Sequence, residues 1–276
     1  MTRARSSAEK QGGNYMLYGI DISSWQKGLQ LSTSDADFYV MKATEGTSYV
    51  DRCCDPWVQW CIDNGKPWGF YHFMRNNGGV AEAEFFYTNT RNYFTHGVPI
   101  LDFEDSSLST EDGEEFIWRL HELTNVWPIV YCNSDFINNR GYFAHSWVKD
   151  KCGLWLAGYP SRRTGWPSNA TCPYAHDGWT LAMWQFTNCL DFGGMSVDGD
   201  VFYGDEDAWH KYALGDNTDQ KEVTQMADIP TEENAVYRLY NPNDGQHMFT
   251  ASHYEAVSLQ ELGWTYEGIA FYAAKV

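Results

Sequence analysis

Two acidic side chains two residues apart, Asp102 and Glu104 in Val-Pro-Ile-Leu-Asp-Phe-Glu-Asp (98–105), offer the clearest chemistry in the chain. In an extended segment both carboxylates lie on one side, roughly 6.6 Å apart along the backbone. Side by side they repel, so one holds its proton near neutral pH and can serve as a general acid. Leu101 and Phe103 place the pair in an otherwise apolar run, which favours function over a solvated strand end. Asp105 suits a helix cap better. Asp21 interrupts a first apolar run and Asp198 lies near the last; Asp200 follows one alternation later. Alone, each reads more simply as a turn or capping residue.

Aromatic residues accompany these positions: Trp25, Tyr71, Tyr131, Trp155, Tyr159 and Trp184. Flat rings beside carboxylates suit pyranose sugars, which stack their C–H faces on the rings while their hydroxyls bond to acids and amides. For any single tryptophan, core packing is the simpler reading. His72, inside Gly-Phe-Tyr-His-Phe, reads as a satisfied core histidine, and the acids at 111–115 as the first turn of a helix. Glycine-rich phosphate loops and nucleophile elbows are absent. The seven cysteines form no Cys-x-x-Cys pair and no zinc-like spacing with His, so they read as buried thiols, with no metal and no cofactor expected.

A barrel would bring these acids together. Short apolar runs recur at 17–23, 38–43, 68–74, 98–104, 129–132, 153–158, 181–187 and 197–203, eight candidate strands. Helical periodicity separates several of them at 51–64, 80–91 and 110–125, where Ser109 or Thr110 is placed to cap. Alternation over five units predicts a parallel sheet, and eight strands predict closure, making the first and last strands neighbours and uniting Asp21 and Asp198 with the pair at one mouth. Residues 160–178 read as a long loop. Too few residues separate the last two strands for a parallel crossover, so an antiparallel hairpin is expected there. The fold class is therefore α/β, an irregular (β/α)5(β)3 TIM-like barrel.

The remaining segments set the domain plan. Residues 1–15 read as a disordered arm, 16–213 as the barrel with a closing helix at 206–214, and 214–235 as an acidic linker with six acids against Lys221. Residues 236–276 read as a small α+β module, its turn at Asn-Pro-Asn-Asp-Gly and a helix at 252–262. Such a short module is expected to pack on the barrel, on copies of itself, or on both, so self-association is a candidate property.

The formal net charge of -18 repels phosphate backbones and anionic surfaces, which argues against a nucleic-acid partner. No apolar stretch is long enough for membrane insertion, and the N-terminus leads into no signal-peptide-like run, so no export signal is expected.

The ordered series Tyr-Gly-Ile-Asp-Ile-Ser-Ser-Trp-Gln, Val-Met-Lys-Ala-Thr-Glu-Gly, Gly-Phe-Tyr-His-Phe, Pro-Ile-Leu-Asp-Phe-Glu-Asp, Ile-Val-Tyr-Cys-Asn, Leu-Trp-Leu-Ala-Gly-Tyr, Met-Trp-Gln-Phe and Val-Asp-Gly-Asp-Val-Phe resembles the strand motifs of family 25 glycoside hydrolases, the Chalaropsis-type lysozymes. The resemblance spans about residues 16–213. It implies hydrolysis of the β-1,4 bond between N-acetylmuramic acid and N-acetylglucosamine in bacterial peptidoglycan. Carried over by motif, Glu104 is the general acid, Asp102, Asp21 and Asp198 complete the cluster, and Tyr71, Tyr131, Trp155, Tyr159, Trp184 and Gln185 face substrate. The family often has Asn at the place of Asp200. Three routes stay open: retention with a carboxylate nucleophile, retention with the substrate's acetamido group oriented by Asp102, and inversion with a water between acid and base; the acetamido route is the favoured one. The tail resembles a short repeat of cell-wall-associated proteins, which implies wall anchoring.

An endolysin of phage type fits these features: it would accumulate in the host cytoplasm before lysis and act at the wall. The alternatives are a non-catalytic wall-binding protein, which would be expected to lack an acid of the cluster, and a glycosidase of chitinase or glucosaminidase type, whose longer run of alternating acids is missing here.

Overall fold

The computed structural model describes residues 9–11, 14–33, 35–176 and 178–215, and toward the C-terminus 230, 232, 234–242, 245–251, 256, 259–260 and 264–273. The chain divides into two compact units, Met1–Thr218 and Asp219–Val276.

In the first unit the eight apolar runs become strands β2 (Asn14–Ile22), β3 (Phe38–Glu45), β5 (Trp68–Phe73), β6 (Val98–Asp102), β7 (Ile129–Asn133), β8 (Gly153–Ala157), β9 (Thr180–Phe192) and β10 (Met195–Phe202), and two short strands, β1 (Glu9–Gln11) and β4 (Tyr49–Val50), join them. The helices are α1 (Cys54–Asp63), α2 (Gly79–Thr90), α3 (Thr110–Thr124), α4 (Ser134–Asn138), α5 (Val148–Lys151) and α6 (Glu206–Leu214). Strands β2, β3 and β5 to β9 pair in parallel, while β10 runs antiparallel to both β9 and β2 and closes the eight-stranded barrel. The β9–β10 hairpin turns on Gly193 and Gly194, with φ of 58° and 80°. Both values lie where a side chain would be strained, and a turn of that hand matches the twist of the strands it joins.

The alternation of side chains sorts each strand between two apolar layers. Inside the barrel lie Leu17, Phe38, Val40, Val98, Ile100 and Ile129, closed at one end by Trp209 of α6, whose ring contacts Phe38 and Phe202. Outside, Tyr39, Met41, Phe70, Leu101, Phe103 and Val130 pack with Phe86 of α2 and Phe116 and Leu120 of α3. Ser109 caps α3 reciprocally with Asp112, satisfying backbone donors that the helix leaves open. This accounts for one of the acids expected in a first turn.

Two expectations change. The first of the five strand–helix units carries 3-10 turns at Ser24–Gln26 and Leu31–Thr33 in place of an α-helix. The arm expected over 1–15 is not wholly unstructured: β1 folds back antiparallel on Asn14–Met16 of β2, so ladder hydrogen bonds hold it. Residues 1–8, 12 and 13 lie outside the described residues.

In the second unit β11 (Ala235–Tyr240), β12 (His247–Thr250) and β13 (Thr265–Tyr272) form an antiparallel sheet in the order β12-β11-β13. Tyr237 and Leu239 pack with Ala256, Trp264 and Ile269 into a small core. Of the helix expected at 252–262, Ala256, Leu259 and Gln260 are helical and the other residues lie outside the described ones. Most of the segment at 214–235 likewise lies outside them.

Candidate active site

The carboxyl ends of the parallel strands surround a cavity of about 230 Å³. Asp21 reaches it from the end of β2, Asp102 from the end of β6, and Glu104 from just beyond. Because β10 is antiparallel, it is the beginning of this strand that reaches the same mouth, and Asp198 lines it. All four acids singled out by sequence therefore share one space.

Hydrogen bonds fix this arrangement. Gln185 donates from Nε2 to Asp21 Oδ2 at 2.7 Å, and its Oε1 accepts from the hydroxyls of Tyr131 at 3.0 Å and Tyr159 at 2.5 Å. Trp155 lines the cavity floor, 2 % exposed, with its indole N–H donated to Asp200 Oδ1 at 2.9 Å. Tyr71 also lines the cavity, Tyr159 stands 41 % exposed beside it, and Trp25 projects from the first 3-10 turn with 91 % of its surface exposed. A ring presented this way is free to stack on a sugar face.

Trp184 departs from the expectation. Its neighbour Gln185 points into the barrel, so strand alternation turns Trp184 outward. It is 1 % exposed, lies edge-on to Phe186 and donates its indole N–H to Gly158 O, and thus belongs to the outer core rather than the cleft. His72 is a satisfied core histidine, bonded to Thr44 at 2.7 Å and Glu82 at 2.8 Å and stacked on Phe116, with burial holding its pKa down.

Sequence reasoning passed over two contributors. Lys42 lines the cavity from β3, its ammonium 2.5 Å from Glu45 and over the face of Phe73. Its inward position follows from Phe38 and Val40 on the same strand, a signal available in the sequence. Asp51 holds the turn that carries Trp25: its Oδ2 accepts from Ser24 N at 2.9 Å and its Oδ1 from Cys53 N. No local pattern foretells that contact.

Taking carboxylates out of water disfavours their ionisation, and like charges add to the effect. Burial, then Asp198, holds Asp21 well above the usual carboxylate range, against the hydrogen bond from Gln185. Burial and Glu104 do the same to Asp102, with Lys42 opposing. Glu104 is raised by burial and pulled back by Lys42, then Arg75, with the nearby Tyr131 hydroxyl adding to the pull. Asp198 is pushed up to about 6 by burial and then by Glu104. Burial also raises the phenols of Tyr71 and Tyr131, which remain hydroxyl donors. The cluster thus keeps protons near neutrality beside ionisable partners, as acid-catalysed bond cleavage requires.

A family model described as glycosyl hydrolases family 25 matches residues 20–195, and one described as a domain of unknown function (DUF5648) matches 197–276. The second match begins inside β10, which structurally belongs to the barrel. Lysozyme M1 of Streptomyces globisporus is 28% identical over 224 residues, covering 73% of this chain and 72% of that protein. The lysozyme of Streptococcus phage Cp-1 is 28% identical over 152 residues, 51% of this chain and 41% of that one. Among solved structures, the bacterial lysozyme of Streptomyces coelicolor superposes with a TM-score of 0.60 at 26% identity, covering 71% of this chain and 96% of that one. With the barrel and its acidic mouth agreeing with this match, the chain belongs to the family 25 glycosyl hydrolases.

Proposed function

We propose that this protein is a lysozyme, an N-acetylmuramidase that cleaves the β-1,4 bond between N-acetylmuramic acid and N-acetylglucosamine in peptidoglycan. The observation that carries this reading is the convergence of Asp21, Asp102, Glu104 and Asp198 on one cavity beside an exposed tryptophan.

In this reading Glu104 gives its proton to the leaving glycosidic oxygen. It is half-buried, raised by that burial, and reached by the Tyr131 hydroxyl. Asp102, deeper and beside it, orients the acetamido group of the muramic residue as that group attacks the anomeric carbon, a retaining route. Asp21 and Asp198 together share negative charge that favours the developing positive charge on the sugar ring. Trp25, Tyr71 and Tyr159 offer faces and hydroxyls to the glycan.

Digestion of purified peptidoglycan, followed by borohydride reduction of the new ends, tests the assignment. New muramitol ends are expected; glucosaminitol ends, or none, overturn it. Non-catalytic binding is disfavoured because the acidic cluster is complete.

The C-terminal unit is proposed to anchor the enzyme to walls, from the resemblance of its sequence and from aromatic residues left exposed on its sheet, Phe249, Phe271 and Tyr272. Deleting it should weaken wall binding by the full chain; unchanged binding would remove that role. The phage relative supports an endolysin that gathers in the host cytoplasm and reaches the wall at lysis. Expression in a bacterium with and without a pore-forming membrane protein tests this, with lysis expected only in its presence.

A further inference from the structure

Asp200 lies on β10 one alternation beyond Asp198 and is completely buried. Its Oδ1 accepts the indole N–H of Trp155 at 2.9 Å. Its Oδ2 is buried, and no N–H or O–H donor among the described residues reaches it. Across the β10–β2 seam Asp200 is paired with Gly19 and Asp198 with Asp21, so Asp200 and Asp21 are diagonal neighbours on one face of the sheet, where their carboxyls interact. Two carboxyl groups bond to each other only if one carries the hydrogen. Asp21 already accepts from Gln185 and opens on the cavity, so it is the better anion of the two. Asp200, with one oxygen engaged and the other lacking a donor, is the better acid, since a buried anionic oxygen without a donor is strongly disfavoured.

We propose that Asp200 is a positioning residue that carries a hydrogen on Oδ2 and donates it to Asp21, so that Asp200 and Gln185 together hold the Asp21 carboxylate at the cleft. Asp200 then adds no charge to a mouth already crowded with acids. The ionisable groups facing it are Asp21 of β2, Asp198 of its own strand and Tyr159 after β8; Trp155 of β8 and Gln185 of β9 complete its surroundings. All three ionisable groups are acids, and burial with the two aspartates favours its neutral form. The role rests on the muramidase reading for its effect on turnover, whereas the location of the hydrogen does not.

Asp200→Asn and Asp200→Leu separate the possibilities. Asn keeps an N–H for Asp21 and an oxygen for Trp155, whereas Leu keeps neither. Asp200→Leu should lower kcat by about tenfold or more, and Asp200→Asn should restore most of that loss. The pH profile of kcat/KM for Asp200→Asn should keep its position. If Asp200 were ionised, removing its charge would lower the pKa values of its neighbours and move the profile toward acid by more than about half a unit, which overturns the proposal. Carboxyl ¹³C NMR of the unaltered chain reports the hydrogen directly, whether or not a variant folds or the substrate is correct. The Asp200 resonance should stay that of a neutral acid at about pH 7, and a carboxylate signal there is the opposite result.

Discussion

Asp21 and Asp198 face each other as register partners across the seam where β2 and β10 close the barrel. Opposed residues of antiparallel strands lie about 4.5 to 5.5 Å apart at Cα. Two acids at that distance in a buried mouth cannot both ionise freely: after burial, Asp198 is the largest cause that raises the cost of charging Asp21, while Asp198 itself is raised by burial and by Glu104.

That cost falls on stability. The ionisation of Asp198 is moved from the ordinary 3.8 to about 6. A carboxyl raised in the fold leaves stability intact below its unfolded value and removes it as pH rises through the folded one. Here the window runs from 3.8 to about 6, and the loss above it is about 3 kcal/mol. Asp198→Asn should therefore be more stable than the parent above about pH 7 and equal to it below about pH 3.5, as urea unfolding at the two pH values would show.

Replacing Glu104 with Gln removes the transferable proton and keeps the shape. Turnover of peptidoglycan should fall by at least about 100-fold with the thermal midpoint unchanged or raised. A fully active variant would refute the assignment of the general acid.

Lys42 pulls the pKa of Glu104 down. In Lys42→Met that pull is gone, so Glu104 should hold its proton to higher pH. The alkaline limb of the kcat/KM profile should move upward by about half a unit to one unit. An unmoved or downward-shifted limb contradicts the contribution of Lys42 to the field at Glu104.

Two tryptophans should behave oppositely. Trp184→Ala empties a fully enclosed volume and should destabilise the barrel by about 3 to 5 kcal/mol. Trp25→Ala removes an exposed ring, should change stability by less than about 0.5 kcal/mol, and should raise KM. Denaturant unfolding and saturation kinetics on both variants check the contrast.

A glycosyl adduct on Asp102 distinguishes the two retaining routes. Substrate assistance predicts that mass spectrometry of rapidly quenched turnover finds no sugar bound to this residue. An adduct there would make Asp102 the nucleophile.

Much of this site is legible along the chain because barrels gather chemistry at strand ends. Asp21, Asp102, Glu104 and Asp198 each stand where an apolar run stops or is interrupted, and closure of eight strands brings the first and last together. Trp184 marks the limit: its neighbours along the chain place it with the cleft, yet one step of strand alternation separates it from Gln185. Asp51 illustrates a deeper limit, since it supports the turn of Trp25 from 27 residues away.

The order of strands and helices, the hairpin at Gly193-Gly194 and the placement of acids at strand ends were determined by the sequence alone, because they depend on periodicity and local backbone preference. Which carboxyl touches which, and where the protons stay, were decided only by the tertiary structure. Those properties depend on desolvation and on charges a few ångströms away, and the neighbours that supply both, such as Lys42 for Glu104 and Asp21 for Asp200, come from strands far apart in the chain.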